Sequence, residues 1–368
     1  MVSLYFHLPF CHKKCPYCHF YVTRPSDHLI KTLKEGLHLE WKRRLPQILD
    51  KEISSIYFGG GTPTQLPFPF IKDLMVLIQK THSLPSEITI EANPEDITLE
   101  LLKSYRRLGI TRLSIGAQSF DNPTLKSLGR IHTAQKCIEA IHTAYDAGFH
   151  NITIDLMYDL PNQTLGSWQH TLDVTKTLPI SHISLYNLTF EEPSIFHRKQ
   201  KTLIPTLPTE QTSLEMFNRA HATFEAMGLM RYEISAYGRM SHHNLGYWTG
   251  RPFLGYGPSA FSYWDKSRFR NIANLPKYTQ ALKQNAPCED FTEKLSPTAH
   301  AREMLAINLR ILHGLDLPHF KTTYGIDDAL EQDIDSLICD GYLQCHDQTL
   351  RLTEHGRLFY DTVATALV

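Results

Sequence analysis

The sequence contains no apolar run of the ~18 residues that a membrane-spanning helix needs. Its first residues, MVSLYFHLPFC, lack the basic, apolar and small-residue segments of a secretory signal. We therefore expect a cytoplasmic chain without a transmembrane segment, for which only peripheral contact with a membrane stays open.

The sequence also has no excess of basic or acidic residues. Lys and Arg total 37, Asp and Glu total 38, and the formal net charge is −1. Such a chain has no overall basic field that would gather nucleic acid, so we expect no nucleic-acid partner. Hydrophobic residues make up 42% of the chain and charged residues 20%, values that indicate a globular protein.

Cysteines are few, and one group of them lies close together in the sequence. Three of the seven cysteines stand in CHKKCPYCHF (residues 11–20), at Cys11, Cys15 and Cys18. Seven cysteines in a reducing compartment do not indicate a disulfide framework. The remaining ones are expected to be ordinary thiols: Cys137, Cys288, Cys339 and Cys345.

Short apolar strands alternate with helical segments through the first half of the chain. This alternation predicts an α/β fold with a parallel sheet and right-handed crossovers, in which functional residues gather at the C-terminal ends of the strands. The predicted strands are 3–10, 53–58, 87–93, 112–118, 151–158 and 182–188. The predicted helices lie near 27–46, 67–80, 98–107, 133–147 and 164–178.

The pattern changes twice after this first region, which we delimit as residues 1–190. Residues 191–294 predict an α+β region that begins with a helix near 209–227 and continues with short strands and loops. Residues 295–368 predict helices at 298–312 and 327–341, a hairpin and a last helix at 353–366, an order similar to a winged helix. From residue 296 onward five basic residues stand against eleven acidic ones, a charge of −6 that argues against DNA binding.

The cysteine loop allows three interpretations from its own spacing. Cys15 to His19 form a C-x-x-C-H sequence, the pattern of covalent c-type haem attachment, although that attachment needs export. Three cysteines with His12 or His19 could close a zinc site. Alternatively, the three cysteines could hold three irons of a cubane cluster and leave the fourth iron open.

Six ordered motifs make the chain resemble a known family. They are YFHLPFCHKKCPYCHF, YFGGGTPT, IEANPE, IGAQSF…LGR, DLMYDLP and HHNLGYW. The C-x₃-C-x₂-C loop resembles that of the radical S-adenosylmethionine (SAM) superfamily, and the whole set resembles the group of oxygen-independent coproporphyrinogen III oxidases. The resemblance implies a partial (β/α)6 TIM-like barrel, and a [4Fe-4S] cluster on Cys11, Cys15 and Cys18 whose open iron binds the amine and carboxylate of SAM.

Two features direct the resemblance to the HemW haem-chaperone branch of this group. The oxidases carry C-x₃-C-x₂-C-x-C, whereas Phe20 occupies the last of these positions here, and residues 243–248 match HNxxYW. The branch implies a protein that binds haem and passes it to an acceptor, expected to be a respiratory haem protein. The alternative is an oxidase-type radical SAM enzyme, and because the SAM motifs are all present, SAM cleavage stays open.

The resemblance also implies individual site residues. Glu91 ends a strand and is expected to accept hydrogen bonds from the ribose of SAM, and Gln118 and Asp155 are expected at the ends of two further strands. Arg130 is expected to pair with a SAM carboxylate. The full SAM set is Tyr5, Gly60, Gly61, Thr62, Glu91, Gln118, Arg130 and Asp155. For haem, the candidate ligands are His243 and Tyr247.

Overall fold

A computed structural model describes residues 1–368, and its first region contains the six expected parallel strands. These strands are β1 (Val2–Leu8), β2 (Ile53–Gly60), β3 (Glu87–Ala92), β4 (Arg112–Gln118), β5 (Ile152–Tyr158) and β6 (His182–Asn187). They pair in sequence order, each parallel to the next. The predicted parallel α/β sheet is therefore confirmed.

Helices cover the outer face of this sheet. They are α1 (Asp27–Ile48), α2 (Phe68–Gln79), α3 (Leu99–Leu108), α4 (Asn122–Ser127), α5 (Ala134–Asp146) and α6 (Leu165–Thr175). In α1, Ser26 caps the N-terminus by accepting a hydrogen bond from the Leu29 backbone N–H, and Leu33, Leu37 and Trp41 are buried. The apolar residues whose repeat predicted this helix therefore include the side chains that face the core.

The middle region contributes strands to both edges of the same sheet. Its elements are α7 (Ile195–Arg198), α8 (Gln200–Leu203), α9 (Glu210–Ala226), β7 (Arg231–Glu233), β8 (Ala236–Gly238), α10 (His242–Trp248), β9 (Phe253–Tyr256), β10 (Phe261–Trp264), β11 (Ser267–Asn271), α11 (Leu275–Lys283) and β12 (Glu289–Lys294). The strand order is β12-β11-β10-β9-β1-β2-β3-β4-β5-β6-β8-β7. Residues 191–294 therefore share the sheet and the core of the partial barrel, and the boundary at 190 stays a prediction.

The last region forms its own small sheet, β13-β15-β14, and its own core. Its elements are α12 (Pro297–Asn308), β13 (Leu315–Asp316), α13 (Leu317–Tyr324), α14 (Asp328–Cys339), β14 (Leu343–His346), β15 (Thr349–Leu352), α15 (Glu354–Leu358) and α16 (Tyr360–Leu367). None of the helices in the chain is both long and apolar enough to cross a membrane.

Two details of the last region differ from the sequence prediction. The helix predicted at 353–366 is two helices, because Phe359 leaves helical geometry with φ −112° and ψ 37°. The helix α13 was missed, although Asp316 caps it by accepting from the His319 backbone N–H and a proline stands in its first turn. Both differences arise from local backbone geometry, which cannot be predicted from the spacing of apolar residues.

A buried carboxylate joins α1 to the middle region. Glu40 is fully buried, and its carboxylate accepts hydrogen bonds from Arg44 Nε (2.9 Å), Asn271 Nδ2 (2.8 Å) and the Gly257 backbone N–H (2.8 Å). The Tyr278 hydroxyl donates to the same carboxylate. A buried carboxylate is tolerated here because four donors satisfy its oxygens.

We predict that Glu40→Ala destabilises the protein by about 3–5 kcal/mol, since it leaves the buried Arg44 guanidinium short of its main partner. The urea unfolding midpoint, followed by circular dichroism, measures this change. Lys42→Ala, an exposed position on the same helix, is the control and should leave the midpoint in place. An unaltered midpoint for Glu40→Ala would contradict the role of this network.

Candidate functional site

The cysteine loop is fixed to the C-terminal end of β1 by backbone hydrogen bonds. The Cys11 N–H donates to the Thr23 carbonyl oxygen (3.0 Å), and the Thr23 N–H donates to the Pro9 carbonyl oxygen (2.6 Å). Nε2 of the buried His7 lies 3.0 Å from the Tyr21 carbonyl oxygen. These bonds close residues 9–23 into a loop whose three cysteines stand above the barrel.

The three thiols are half-buried, and two of them have polar partners. Cys11 Sγ lies 3.4 Å from Thr62 Oγ1, and Arg130 Nη1 donates to Cys15 Sγ at 3.7 Å. Burial raises the pKa of Cys11 to about 11 and also raises the pKa of Cys18, so a metal must displace their protons. The Arg130 guanidinium supplies positive charge beside the thiolates that would form.

The cysteine loop supplies three free thiols, which is one ligand fewer than a closed zinc site needs. A cubane cluster offers each thiolate a separate iron and leaves the fourth iron for another ligand. Three thiols on one loop are therefore compatible with the cluster that the resemblance implies, and its assignment to Cys11, Cys15 and Cys18 stays a prediction.

The three glycines at the C-terminal end of β2, Gly59 to Gly61, support the cysteine loop. The Gly61 N–H donates to the Leu8 carbonyl oxygen (3.0 Å), and the Thr62 N–H donates to the Phe10 carbonyl oxygen (2.7 Å). A Cβ on Gly61 would stand 2.6 Å from the Phe10 backbone. Gly60 has φ +99°, which favours glycine. The N–H groups of this turn are therefore engaged within the protein, and contact of Gly60, Gly61 and Thr62 with SAM stays a prediction.

Glu91 is half-buried at the barrel mouth and accepts from two donors. Tyr57 Oη donates to Glu91 Oε1 (2.8 Å), and the Gly60 N–H donates to Oε2 (3.2 Å). Burial raises the pKa of Glu91 to about 7, against these two hydrogen bonds, which lower it. A carboxylate has about four acceptor positions, so two remain for a ligand.

Arg130 and Asn93 connect the loop to the barrel. Arg130 Nη2 donates to Asn93 Oδ1 (2.8 Å) and to the Gly116 carbonyl oxygen (2.8 Å), while Asn93 Nδ2 donates to Thr62 Oγ1 (3.1 Å). Asn93 was missed as a site residue, although it belongs to the IEANPE motif. In this arrangement Arg130 already binds protein groups, so its pairing with a SAM carboxylate stays a prediction.

Gln118 and Asp155 occupy different depths of the barrel. Gln118 is the last residue of β4, as expected, and has φ +66°. Asp155 lies in the middle of β5 rather than at its end, because the strand continues through Leu156, Met157 and Tyr158. Burial raises the pKa of Asp155 to about 6, and a hydrogen bond with Ser184 opposes the shift. Asp155 therefore lies deeper than the sequence suggested.

A cavity of about 950 Å³ opens beside the cysteine loop. Its wall brings together two predicted SAM residues, Tyr5 and Glu91, with the haem candidates His243 and Tyr247 and with Phe20. The remaining predicted SAM residues lie outside this wall: Gly60, Gly61, Thr62, Gln118, Arg130 and Asp155. The size is at the upper end of the ~300–1,000 Å³ of ordinary ligand pockets.

His243 is buried in this wall with both ring nitrogens in hydrogen-bond contacts. Nδ1 lies 2.9 Å from Ser55 Oγ, and Nε2 lies 2.8 Å from the Tyr247 hydroxyl. Burial lowers the pKa of His243 to about 3, so its ring is neutral. Neither His243 nor Tyr247 presents a free ligand atom to haem iron in this structure. The geometry does not favour the assignment of these two residues as haem ligands.

Comparison with known proteins agrees with this architecture. The profile described as "Radical SAM superfamily" matches residues 5–175, and that of the "HemN C-terminal domain" matches residues 295–359. A solved structure titled "Coproporphyrinogen III oxidase (HemN) from Escherichia coli is a Radical SAM enzyme" superposes with a TM-score of 0.87 at 25% identity, covering 100% of this chain and 89% of that one. The fold and site thus define a radical SAM protein, and the predicted partial (β/α)6 TIM-like barrel is confirmed.

Curated relatives identify the family within the radical SAM class. "Heme chaperone HemW" of Bacillus subtilis (strain 168) is 30% identical over 381 residues, with coverage of 100% of this chain and 99% of the relative. "Heme chaperone HemW" of Escherichia coli (strain K12) is 31% identical, with coverage of 98% and 97%. The chain therefore belongs to the HemW family, and membership of the superfamily implies a [4Fe-4S] cluster and SAM.

We predict that SAM affinity depends on the charge of Glu91. The ionised carboxylate is the better acceptor for ribose hydroxyls and forms as the pH rises through about 7. SAM should therefore bind up to about tenfold more tightly at about pH 8 than at about pH 6. Anaerobic equilibrium dialysis of the cluster-loaded protein measures the affinity.

The control for this prediction is Glu91→Gln, whose side chain cannot ionise. This variant should lose the pH dependence of SAM affinity that Glu91 causes and keep only the part that comes from the ionisation of SAM itself. Glu91→Ala should weaken SAM binding at every pH while the iron and sulfide content stays the same. If Glu91→Ala bound SAM as the unmodified protein does, Glu91 would not be a SAM residue.

Proposed function

We propose that this protein is a haem chaperone, which binds haem, a [4Fe-4S] cluster and SAM and transfers the haem to an acceptor. One observation carries the proposal: a single cavity joins the predicted SAM residues Tyr5 and Glu91 to an aromatic wall that contains Phe20, Trp248 and Phe253. A porphyrin is flat and largely apolar, and such a wall offers it the matching surface.

In this proposal the residues of the barrel mouth have separate tasks. Cys11, Cys15 and Cys18 hold the cluster, which when bound supplies an open iron for SAM and one electron for its cleavage. Arg130, half-buried beside Cys15, balances the negative charge of the thiolates. Glu91 orients the ribose from inside the barrel.

Phe20 favours haem handling over oxidation. Its position is that of the fourth cysteine in the oxidases, and here it offers a ring that is 51% exposed at the cavity. The alternative, an oxidase-type radical SAM enzyme, is supported by the likeness to the Escherichia coli oxidase over the whole chain. The relatives named as heme chaperones span the same length and support the first function.

The acceptor in this proposal is a haem protein, with a respiratory enzyme as the expected class. No disulfide joins any of the seven cysteines, and the cytoplasm, a reducing compartment, is the proposed location. Delivery to an enzyme in a membrane would need only peripheral contact at that membrane.

We predict that the protein, reconstituted anaerobically with its cluster, binds haemin and does not decarboxylate coproporphyrinogen III. Two measurements are made on one sample that contains SAM and a reductant. Absorbance monitors the titration with haemin, and chromatography detects any decarboxylated product. Transfer is measured as the appearance of haem in an apo-acceptor after the two proteins are separated. Decarboxylation at an enzymatic rate without haemin binding would overturn the proposal in favour of the oxidase.

A further inference from the structure

The wall of the cavity beside the cysteine loop includes a histidine that was not among the haem-ligand candidates of the sequence analysis. Three histidines line the cavity: His7, His19 and His243. His7 contacts Tyr5 Oη (3.0 Å) and the Tyr21 carbonyl oxygen (3.0 Å), so its two nitrogens are occupied like those of His243. His19 is exposed and makes no hydrogen bond in the structure.

We propose that His19 is the axial ligand that holds haem iron at the mouth of this cavity. This inference rests on the proposed haem-binding function and assigns its iron site. Imidazole is a common axial ligand of haem, and coordination needs a ring nitrogen with a free lone pair. Among the cavity histidines, His19 meets that condition without breaking an existing contact.

The neighbouring ring of Phe20 orients His19. The two ring centroids lie 4.4 Å apart with an interplanar angle of 41°. The Phe20 carbonyl oxygen accepts a hydrogen bond from Lys14 Nζ (2.7 Å), which ties this part of the loop back on itself. Phe20 therefore lies beside the proposed iron ligand and offers the porphyrin an aromatic wall.

The charges around the cavity suit the two carboxylates of haem. Four cations line it, Lys14, Arg251, Arg268 and Arg270, against the carboxyl groups of three glutamates. Arg268 and Arg270 are ion-paired with carboxylates of the protein. Lys14 and Arg251 have no carboxylate partner, and Arg251 Nη1 donates only to Ser3 Oγ (3.4 Å) and the His242 carbonyl oxygen (3.1 Å). Unpaired cations at an apolar cavity favour an anionic ligand.

The position of His19 also agrees with transfer. A ligand on an exposed loop can be replaced by a ligand of the acceptor while the porphyrin still lies in the cavity. A ligand as buried as His243 is less accessible to a ligand of the acceptor. Placement directly after Cys18 further puts the haem beside the residues that hold the cluster.

The test compares His19→Ala with His12→Ala in the full-length, cluster-loaded protein. His12 is an exposed histidine of the same loop, and it lines a different, small pocket with Gln65 and Arg130. Haemin and metal-free protoporphyrin IX are titrated separately. Ferric-haem electron paramagnetic resonance and the Soret difference spectrum report the iron ligand, and iron and sulfide analysis confirms that each variant keeps its cluster.

We expect His19→Ala to change the g values and the Soret band and to weaken haemin binding by roughly tenfold or more. Its affinity for protoporphyrin IX should stay the same, because the missing contact is with iron. His12→Ala should behave like the unmodified protein. His243→Ala should weaken haemin and protoporphyrin IX together, because it removes a buried wall residue.

The inference is overturned if His19→Ala keeps the spectrum and haemin affinity of the unmodified protein, or if only His243→Ala changes the iron signature. These results leave haem binding itself intact. Absence of haemin binding by the unmodified protein would instead overturn the proposed function, and the inference with it.

Discussion

The packing of the cysteine loop against the glycine turn at Gly60 and Gly61 is the constraint on which the candidate site depends. Two short backbone hydrogen bonds, Gly61 N–H to Leu8 and Thr62 N–H to Phe10, hold the loop against the end of β2. The contact is close enough that a Cβ on Gly61 would collide with the Phe10 backbone. The parallel register of β1 and β2 brings these segments together, so the positions of the three thiols follow from the pairing of two strands.

From this contact the site extends in two directions. Toward the barrel, Thr62, Asn93 and Arg130 form a chain of hydrogen bonds that ends at Cys15. Toward the outside, the loop continues through Phe20 into the wall of the large cavity. That wall also includes residues of the last region, since Met304 of α12 belongs to it. One loop therefore connects the proposed sites of the cluster, of SAM and of the porphyrin.

Sequence patterns predicted the fold well where burial repeats along an element. The six parallel strands and five of the six helices between them were predicted close to their observed bounds, because parallel strands carry near-continuous apolar runs and helices repeat their core residues every three or four positions. The short helix α4 was not predicted. The pattern failed at α13 and at Phe359, where a cap and a single backbone angle decide the structure. For the candidate site, the motifs indicated Glu91, whose contact with SAM stays a prediction, but hydrogen bonds across distant strands were needed to find Asn93.

The spacing of the cysteine loop left three kinds of site open, and the six ordered motifs together indicated the class of chemistry, because such motifs are local features of the sequence. The sequence also determined that Phe20 stands where an oxidase carries cysteine. Only the tertiary structure decided which histidine is available. The sequence favoured His243 as the haem ligand and indicated that His19 is an ordinary loop residue. Folding, however, brings Ser55 and Tyr247 to the ring of His243 and brings no polar partner to the ring of His19. Ligand availability depends on neighbours that are distant in sequence, and folding is what makes them neighbours.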